Sequence, residues 1–397
     1  MQHEASSFFG IEPGHFTLAW PGEALFGPGC AERVTGWAVS RGLRRPLLVS
    51  DPGLVASGLA SRVLDGLRAP GMVPVLYDGV AANPTIDNVM QAHARWGEAE
   101  CDGVVAFGGG SVIDVSKVLV ARLCSDAPLA DLLREGDARI VRAAPPFAAL
   151  PTTAGTGSES TTAALIKDAE GRKHVLRSRR CRPQWVALDP LLTMSTPPGV
   201  TASTGFDVVM HALGAATNRA ANPVGDALAL AALARSFGSL PAVLARPDDL
   251  DARADMMLSS YLAGVAISLR GVDGIHGLCT PLEALVSAPH GHVLAVTCEP
   301  LMRFNLATMS ARYAQVAAAC GLDGGTAAGE AAMAEALIER VCALRDLAGL
   351  PRSLAQLGVT RDALAPIYDV AQANASVQLN GRPMTREDIV ALYDAML

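Results

Sequence analysis

An acid and a histidine four residues apart, Asp207 and His211, open the stretch in which this chain gathers its metal-ligating side chains. On a helix, residues i and i+4 project from one face, so the pair can grip a single ion. Asp273-Gly274-Ile275-His276 and Ala288-Pro289-His290-Gly291-His292 follow. His276 and His290 can close the set from neighbouring helices. One carboxylate with three imidazoles makes a borderline divalent site, suited to Fe2+ or Zn2+ and too rich in nitrogen for Mg2+ or Ca2+. Acids and histidines also fall at such spacings by chance, so the rest of the chain has to supply a reason for the site.

The first half offers groups suited to a nucleotide. Gly108-Gly109-Gly110-Ser111 lies between an apolar run and a helical pattern. There glycine lets backbone N–H groups approach phosphate oxygens, and a helix N-terminus adds a favourable field. The turn matches neither the usual dinucleotide fingerprint nor a P-loop. Asp114 and Lys117 sit on the next helix, either facing a ligand or forming a solvated pair. Asp51 follows the first core strand; an acid there can bind the adenosine ribose hydroxyls and repel a 2′-phosphate, favouring NAD over NADP. It can equally be a turn-forming Asp before Pro52. Thr152-Thr153-Ala154-Gly155-Thr156-Gly157-Ser158-Glu159 packs short donors after another strand, either to wrap a pyrophosphate or to cap a helix.

The elements that must carry these groups are readable from periodicity. Extended pieces are expected over residues 8–30, as a leading hairpin or edge strands. Short apolar runs at 46–50, 73–77, 102–107, 147–151 and 185–189 predict strands, with helical patterns at 31–41, 54–67, 86–97 and 112–121 between them. That alternation predicts a Rossmann-like α/β domain with a parallel sheet over 1–199. Residues 200–397 are alanine- and leucine-rich with helical spacing, interrupted at Asn222-Pro223 and Pro241, and predict an all-helical metal-binding domain. The 397-residue length suits two domains. Half the residues are hydrophobic and the net charge is −7, so nucleic acid is not expected as a partner. Eight scattered cysteines without a Cys-x-x-Cys pair fit reduced thiols. No signal peptide is visible, and no apolar run of about 18 residues is free of charge or proline. A cytoplasmic protein without a membrane span is the expectation.

Several of these residues together resemble the iron-dependent (group III) alcohol dehydrogenases. The matching pieces are Asn83-Pro84-Thr85, Gly109-Gly110-Ser111 with Asp114 and Lys117, and Pro151 through Glu159. They continue with Asp189-Pro190, Thr204-Gly205-Phe206-Asp207 with His211, Asn222-Pro223 with Asp226, His276, Pro289-His290-Gly291 and Met302-Arg303-Phe304-Asn305. The likeness runs from about residue 16 to the C-terminus. It implies a dehydroquinate synthase-like architecture, with a cleft between the domains for NAD and metal. The metal ligands it implies are Asp207, His211, His276 and His290. Nucleotide contacts fall on Asp51, Asn83, Gly109, Gly110, Ser111, Asp114, Thr152, Thr153, Thr156 and Lys173. Iron(II) is the usual metal and zinc occurs in relatives; homodimers or larger homo-oligomers are usual. The chemistry implied is hydride transfer between nicotinamide C4 and an alcohol or carbonyl polarised by the ion.

Two departures bear on mechanism and substrate. The family often has a second histidine four residues after the third ligand, and here Thr280 stands there. A hydroxyl can relay a proton but is no base near neutral pH; His292 is an alternative. Relatives often carry Ser-Asn-Ala-Gly before His276, whereas this chain has Ser268-Leu269-Arg270-Gly271. Arg270 suggests a substrate with an anionic group, or else an internal pair with Asp273. The leading reading is an NAD- and metal-dependent alcohol dehydrogenase or aldehyde reductase. A maleylacetate-reductase-like enzyme or hydroxyacid–oxoacid transhydrogenase is the alternative. A metal- and nucleotide-binding protein without turnover is the non-enzymatic reading.

Overall fold

The computed structural model describes residues 16–169, 171–220, 222–323 and 329–397; the extended pieces expected at 8–15 lie outside them. The chain divides into two units: Ala19–Thr196 forms one, and Pro197–Leu397, with the described residues up to Leu18, forms the other. In chain order the first contains β1 (Glu23–Phe26), α1 (Val34–Ser40), β2 (Pro46–Val49), α2 (Pro52–Ala56), α3 (Leu59–Gly66), β3 (Val75–Tyr77), α4 (Ile86–Glu98) and β4 (Gly103–Gly108). It continues with α5 (Gly110–Leu123), α6 (Leu129–Glu135), β5 (Phe147–Pro151), β6 (Ala163–Lys167), β7 (Lys173–Arg177) and β8 (Trp185–Leu188).

Six strands form one parallel sheet in the order β1-β8-β5-β4-β2-β3. The central strands β2, β4, β5 and β8 are buried along their whole length. A parallel strand covered on both faces must be apolar throughout, which is why these read as continuous runs. Alternation then divides the side chains. Leu47, Val49, Val104, Ala106, Phe147 and Ala149 pack with α4, α5 and α6. Leu48, Val105, Phe107, Ala148 and Leu150 pack with α1 and α3.

The leading hairpin is not formed at 23–26: β1 is an edge strand lying parallel to β8, with Glu23 opposite Trp185. The Asp189 carboxylate fastens that edge by accepting from the N–H groups of Gly29 (3.0 Å) and Ala31 (3.1 Å). The helix expected at 54–67 is broken into α2 and α3 at Gly58, whose φ of 77° is a left-handed conformation. The sequence reading also lacks α6 and the antiparallel β6–β7 hairpin. The segment from Arg172 through Lys173, Arg177, Arg179 and Arg180 to Arg182 concentrates cations that the net charge of −7 conceals.

The second unit is helical: α7 (Pro198–Thr217), α8 (Pro223–Ala245), α9 (Leu250–Arg270), α10 (Gly274–Leu282), α11 (His290–Ala319), α12 (Glu330–Leu347), α13 (Tyr368–Gln372), α14 (Ala375–Gln378) and α15 (Arg386–Ala395). From Gly205 to Thr217, α7 is buried on all sides, as a helix apolar all round should be. Asn222 does stop the chain, capping α8 through Gly225 N–H with Pro223 in the first turn. Pro241 does not interrupt; it lies inside α8. By length and composition α8 passes for a membrane span. It packs as a core helix, with the fully buried Asp226 paired to Arg270 and Arg312.

Candidate metal centre and nucleotide-binding turns

In the helical unit, α7 presents Asp207 and His211 one turn apart, α10 carries His276 in its first turn, and α11 begins at His290. Asp207 Oδ1 lies 3.6 Å from Nε2 of His211, 3.6 Å from Nε2 of His276 and 3.6 Å from Nε2 of His290. The His211 and His276 rings stack with centroids 4.7 Å apart. These separations exceed hydrogen-bond length. Two donors each about 2.1 Å from one ion, at a tetrahedral angle, stand roughly 3.4 Å apart. Asp207 Oδ1 and His276 Nε2 are buried without a hydrogen-bond partner, an arrangement expensive unless something satisfies them. Asp207, His276 and His290 bring donor atoms within 4.8 Å of one another, a set that fits a divalent cation, and His211 stands 3.6 Å from the same Asp207 oxygen. Burial alone would raise the Asp207 carboxyl, but His211, His290 and His276 hold it below the ordinary carboxylate range. Burial pushes the His276 imidazole down, towards the neutral form that can ligate.

Glycine lets the three ligand-bearing helices approach. A Cβ on Gly291, beside His290, would sit 2.2 Å from the carbonyl oxygen of Ser203 on α7. A Cβ on Gly214 would lie 3.1 Å from the backbone nitrogen of Asp273, which caps α10 through Ile275 N–H. Sequence reasoning missed Glu283. Its Oε1 lies 2.8 Å from His290 Nδ1, with Cys279 Sγ 3.7 Å from the same nitrogen. Glu283 stands at the end of α10 and reaches His290 across a turn, so no helical spacing announces it.

The Thr280 hydroxyl donates to the His276 carbonyl at 3.0 Å, a bond back along its own helix. His292 is half-buried in the first turn of α11, and its Nδ1 has no hydrogen-bond partner. Arg270 is where neither expectation put it. Its guanidinium is buried, 3.4 Å from Asp226, and donates to the carbonyls of Asn222 (3.4 Å) and Asn218 (3.1 Å). Asp273 has other work, as the α10 cap and an acceptor from Thr217. With its charge matched inside the protein, Arg270 is engaged by Asp226 and two backbone carbonyls, which gives no support to a substrate contact.

In the α/β unit, strand order reverses between β2, which neighbours β3, and β4, which leads through β5 to β8. Ligands of open α/β sheets bind beyond the carboxyl ends of the strands at such a reversal. Asp51 follows β2, the Gly109-Gly110-Ser111 turn follows β4, and Thr152, Thr153 and Thr156 follow β5. Asp51 caps α2, accepting from Leu54 N–H at 3.0 Å through one oxygen. No side chain caps α5 at Gly109. A Cβ on Gly110 would meet the Thr156 side chain at 2.7 Å, and one on Gly109 the Thr153 hydroxyl at 3.3 Å, so the glycine turn and the threonine loop pack against each other. Ser111 donates to the Ala82 carbonyl at 2.7 Å, tying the turn to the exposed segment that holds Asn83. Lys173 begins β7 opposite Lys167.

Asp114 is a correction. Both its oxygens are engaged internally, by the Ser158 hydroxyl at 2.5 Å and Leu165 N–H at 2.9 Å. Lys117, more deeply buried than Asp114, donates to Ser158 (2.9 Å), Thr161 (3.0 Å) and the Ala163 carbonyl (2.8 Å). Neither forms the solvated pair, and each Asp114 oxygen already accepts one internal hydrogen bond. The network instead fixes the loop after β5. Burial lowers the Lys117 ammonium to about 8 and raises the nearby Glu159 carboxyl to about 7.

A family model described as iron-containing alcohol dehydrogenase matches residues 21–190, and one for the C-terminal part of the Fe-containing alcohol dehydrogenase family matches 201–397. The chain is 35% identical over 367 residues to the 4-hydroxybutyrate dehydrogenase of Cupriavidus necator, covering 90% of this chain and 92% of that protein. A crystal structure of 1,3-propanediol oxidoreductase superposes with a TM-score of 0.92 at 30% identity, covering 97% of this chain and 100% of that one. Sulfoacetaldehyde reductase from Bifidobacterium kashiwanohense, solved with NAD+, gives 0.86 at 28% identity, covering 97% and 99%.

Proposed function

The chain belongs to the iron-containing alcohol dehydrogenase family, and from that premise we propose that it is an NAD- and divalent-metal-dependent alcohol dehydrogenase or aldehyde reductase. The observation that carries the metal half is one buried carboxylate oxygen with three imidazole nitrogens each 3.6 Å away. Asp207, His211, His276 and His290 would hold the ion, Fe2+ first and Zn2+ second. Bound there, a divalent ion supplies Lewis-acid polarisation of an alcohol or carbonyl oxygen.

The chain's own residues supply position. Asp207 brings the one negative charge of the donor set, and it is buried together with His211 and His276. Glycine and threonine turns at the strand-order reversal would take the pyrophosphate of NAD, with Gly109 and Gly110 allowing backbone N–H groups to come close. Asp51 would use its second oxygen for the adenosine ribose, which favours NAD over NADP. Thr280 donates its proton to the His276 carbonyl and can accept one further hydrogen bond; to pass a proton on, its hydroxyl would have to turn away from that carbonyl.

Two of the similar proteins are named for anions, 4-hydroxybutyrate and sulfoacetaldehyde. The substrate screen therefore includes ω-hydroxy acids and semialdehydes beside short alcohols and diols. Anaerobic metal analysis coupled to an NADH-linked screen is the test. The expected outcome is one bound iron or zinc per chain and NADH formation from at least one alcohol. A transhydrogenase would oxidise one partner and reduce another without net NADH. An apoprotein that gains no activity with iron, zinc, cobalt or manganese overturns the proposal.

A further inference from the structure

We propose that Glu283 is a positioning residue that retains the metal ion by locking His290; the proposal rests on the reading of Asp207, His211, His276 and His290 as the ligand set. Among these four, His290 is the loose member. Its side chain is 35% exposed, against 10% for His211, 8% for His276 and 4% for Asp207. It is also the first residue of α11, so no preceding helical turn holds it. A ligand so placed is the first that water can displace.

Glu283 compensates. Its carboxylate, 8% exposed, lies 2.8 Å from His290 Nδ1. A carboxylate accepts only, so Nδ1 carries a proton, which leaves Nε2, on the side of Asp207 Oδ1, as the nitrogen that would ligate. Hydrogen bonding from a carboxylate to the far nitrogen orients the ring and makes it a better ligand. The charge count agrees: Asp207 and Glu283 together offset a dication in a nearly dry site. Because His276 lies in α10 and Glu283 caps its C-terminus, the helix that gives one ligand also places the group that holds the ring of another. Cys279 Sγ also reaches the same nitrogen at 3.7 Å, but a thiol is a weak acceptor beside a carboxylate, so Glu283 is the stronger partner of the ring.

The test uses the metal-loaded full chain and its Glu283→Ala, Glu283→Gln, Cys279→Ala and Asp207→Ala variants. Metal release to a chromophoric chelator and the absorption bands of the Co2+-substituted protein are the readouts. Glu283→Ala should weaken retention about 10- to 100-fold and shift the cobalt bands. Glu283→Gln, whose amide oxygen still accepts from Nδ1 without charge, should fall between it and the parent. Cys279→Ala should match the parent. The far-UV spectrum of each metal-free variant reports whether it is folded, and the near-isosteric Gln variant serves if the Ala variant is not. A folded Glu283 variant that releases metal at the parent rate with unshifted bands overturns the inference, as does Cys279→Ala reproducing the loss. If the parent binds metal and Asp207→Ala abolishes it while Glu283→Ala changes nothing, only this inference falls. If the parent binds no divalent ion, the metal-dependent function falls with it.

Discussion

The guanidinium of Arg270 shares the Asp226 carboxylate with Arg312 in a place nearly empty of water. Truncating one member of such a group leaves charge buried without its match, which costs roughly 3–5 kcal/mol. Arg270→Ala should therefore lower the unfolding free energy by about 3 kcal/mol in urea titration and reduce turnover of charged and neutral aldehydes alike. A loss confined to charged aldehydes would show that the guanidinium meets substrate after all. Glu159 makes a prediction in pH. Burial disfavours its anion and pushes the carboxyl up to about 7 in the folded chain, against an ordinary 4.5. The folded state then binds the proton more tightly than the unfolded state. Stability from this group is fully present below about pH 4.5 and is lost as pH rises to about 7, by an amount on the order of 3 kcal/mol. Glu159→Gln should flatten that slope in a series of melts between pH 4.5 and 7.5. An unchanged slope would place the titration elsewhere. Asp207 and His211 were legible as candidates from residue type and spacing, whereas His276 and His290 were offered by residue type and joined to them by the family resemblance. Arg270, Asp114 and Glu283 were not legible, since their partners Asp226, Leu165 and His290 become neighbours only through packing.

At the scale of elements, the candidate metal centre depends on how closely α11 lies against α7. The hydrogen on Gly291 Cα is what permits the Ser203 carbonyl to approach, and a methyl group there would stand 2.2 Å from that oxygen. Backbone cannot rotate away as a side chain can. Gly291→Ala should thus displace the start of α11, cost about 1–3 kcal/mol and loosen metal binding through His290 next door. Calorimetry and chelator competition on one sample would check both; an unchanged melt and affinity would mean that α11 tolerates the shift. Strands β2, β4, β5 and β8 could be read from sequence because strands buried on both faces are apolar without interruption. The β6–β7 hairpin could not, because its strands alternate buried and exposed positions over five residues each and carry many cations. Pro241 misled for a related reason. A proline forbids one hydrogen bond, but a helix packed on several sides can keep its course past that gap.

For the molecule as a whole, a ligand that binds only the folded chain stabilises it by mass action. A divalent ion at a hundred times its dissociation constant should add about 2.7 kcal/mol to the unfolding free energy of the apoprotein, and Asp207→Ala should abolish the increment. Melting curves with and without Zn2+ or Co2+ would show it, and an equal shift in the variant would assign the effect to another site. The change from strand-and-helix texture to helical texture near residue 200 was visible in composition alone. The sheet order was not, because nothing local says that the first strand pairs with the last. That pairing has a consequence in time. Gly29 and Asp189, which fasten the β1 edge, are 160 residues apart in the chain. At roughly 5–20 residues per second, a ribosome needs about ten to thirty seconds to travel between them. Throughout that interval β1 has emerged without its neighbour, so the sheet's edge closes late in synthesis, and the nascent chain must carry an unpaired strand until β8 arrives.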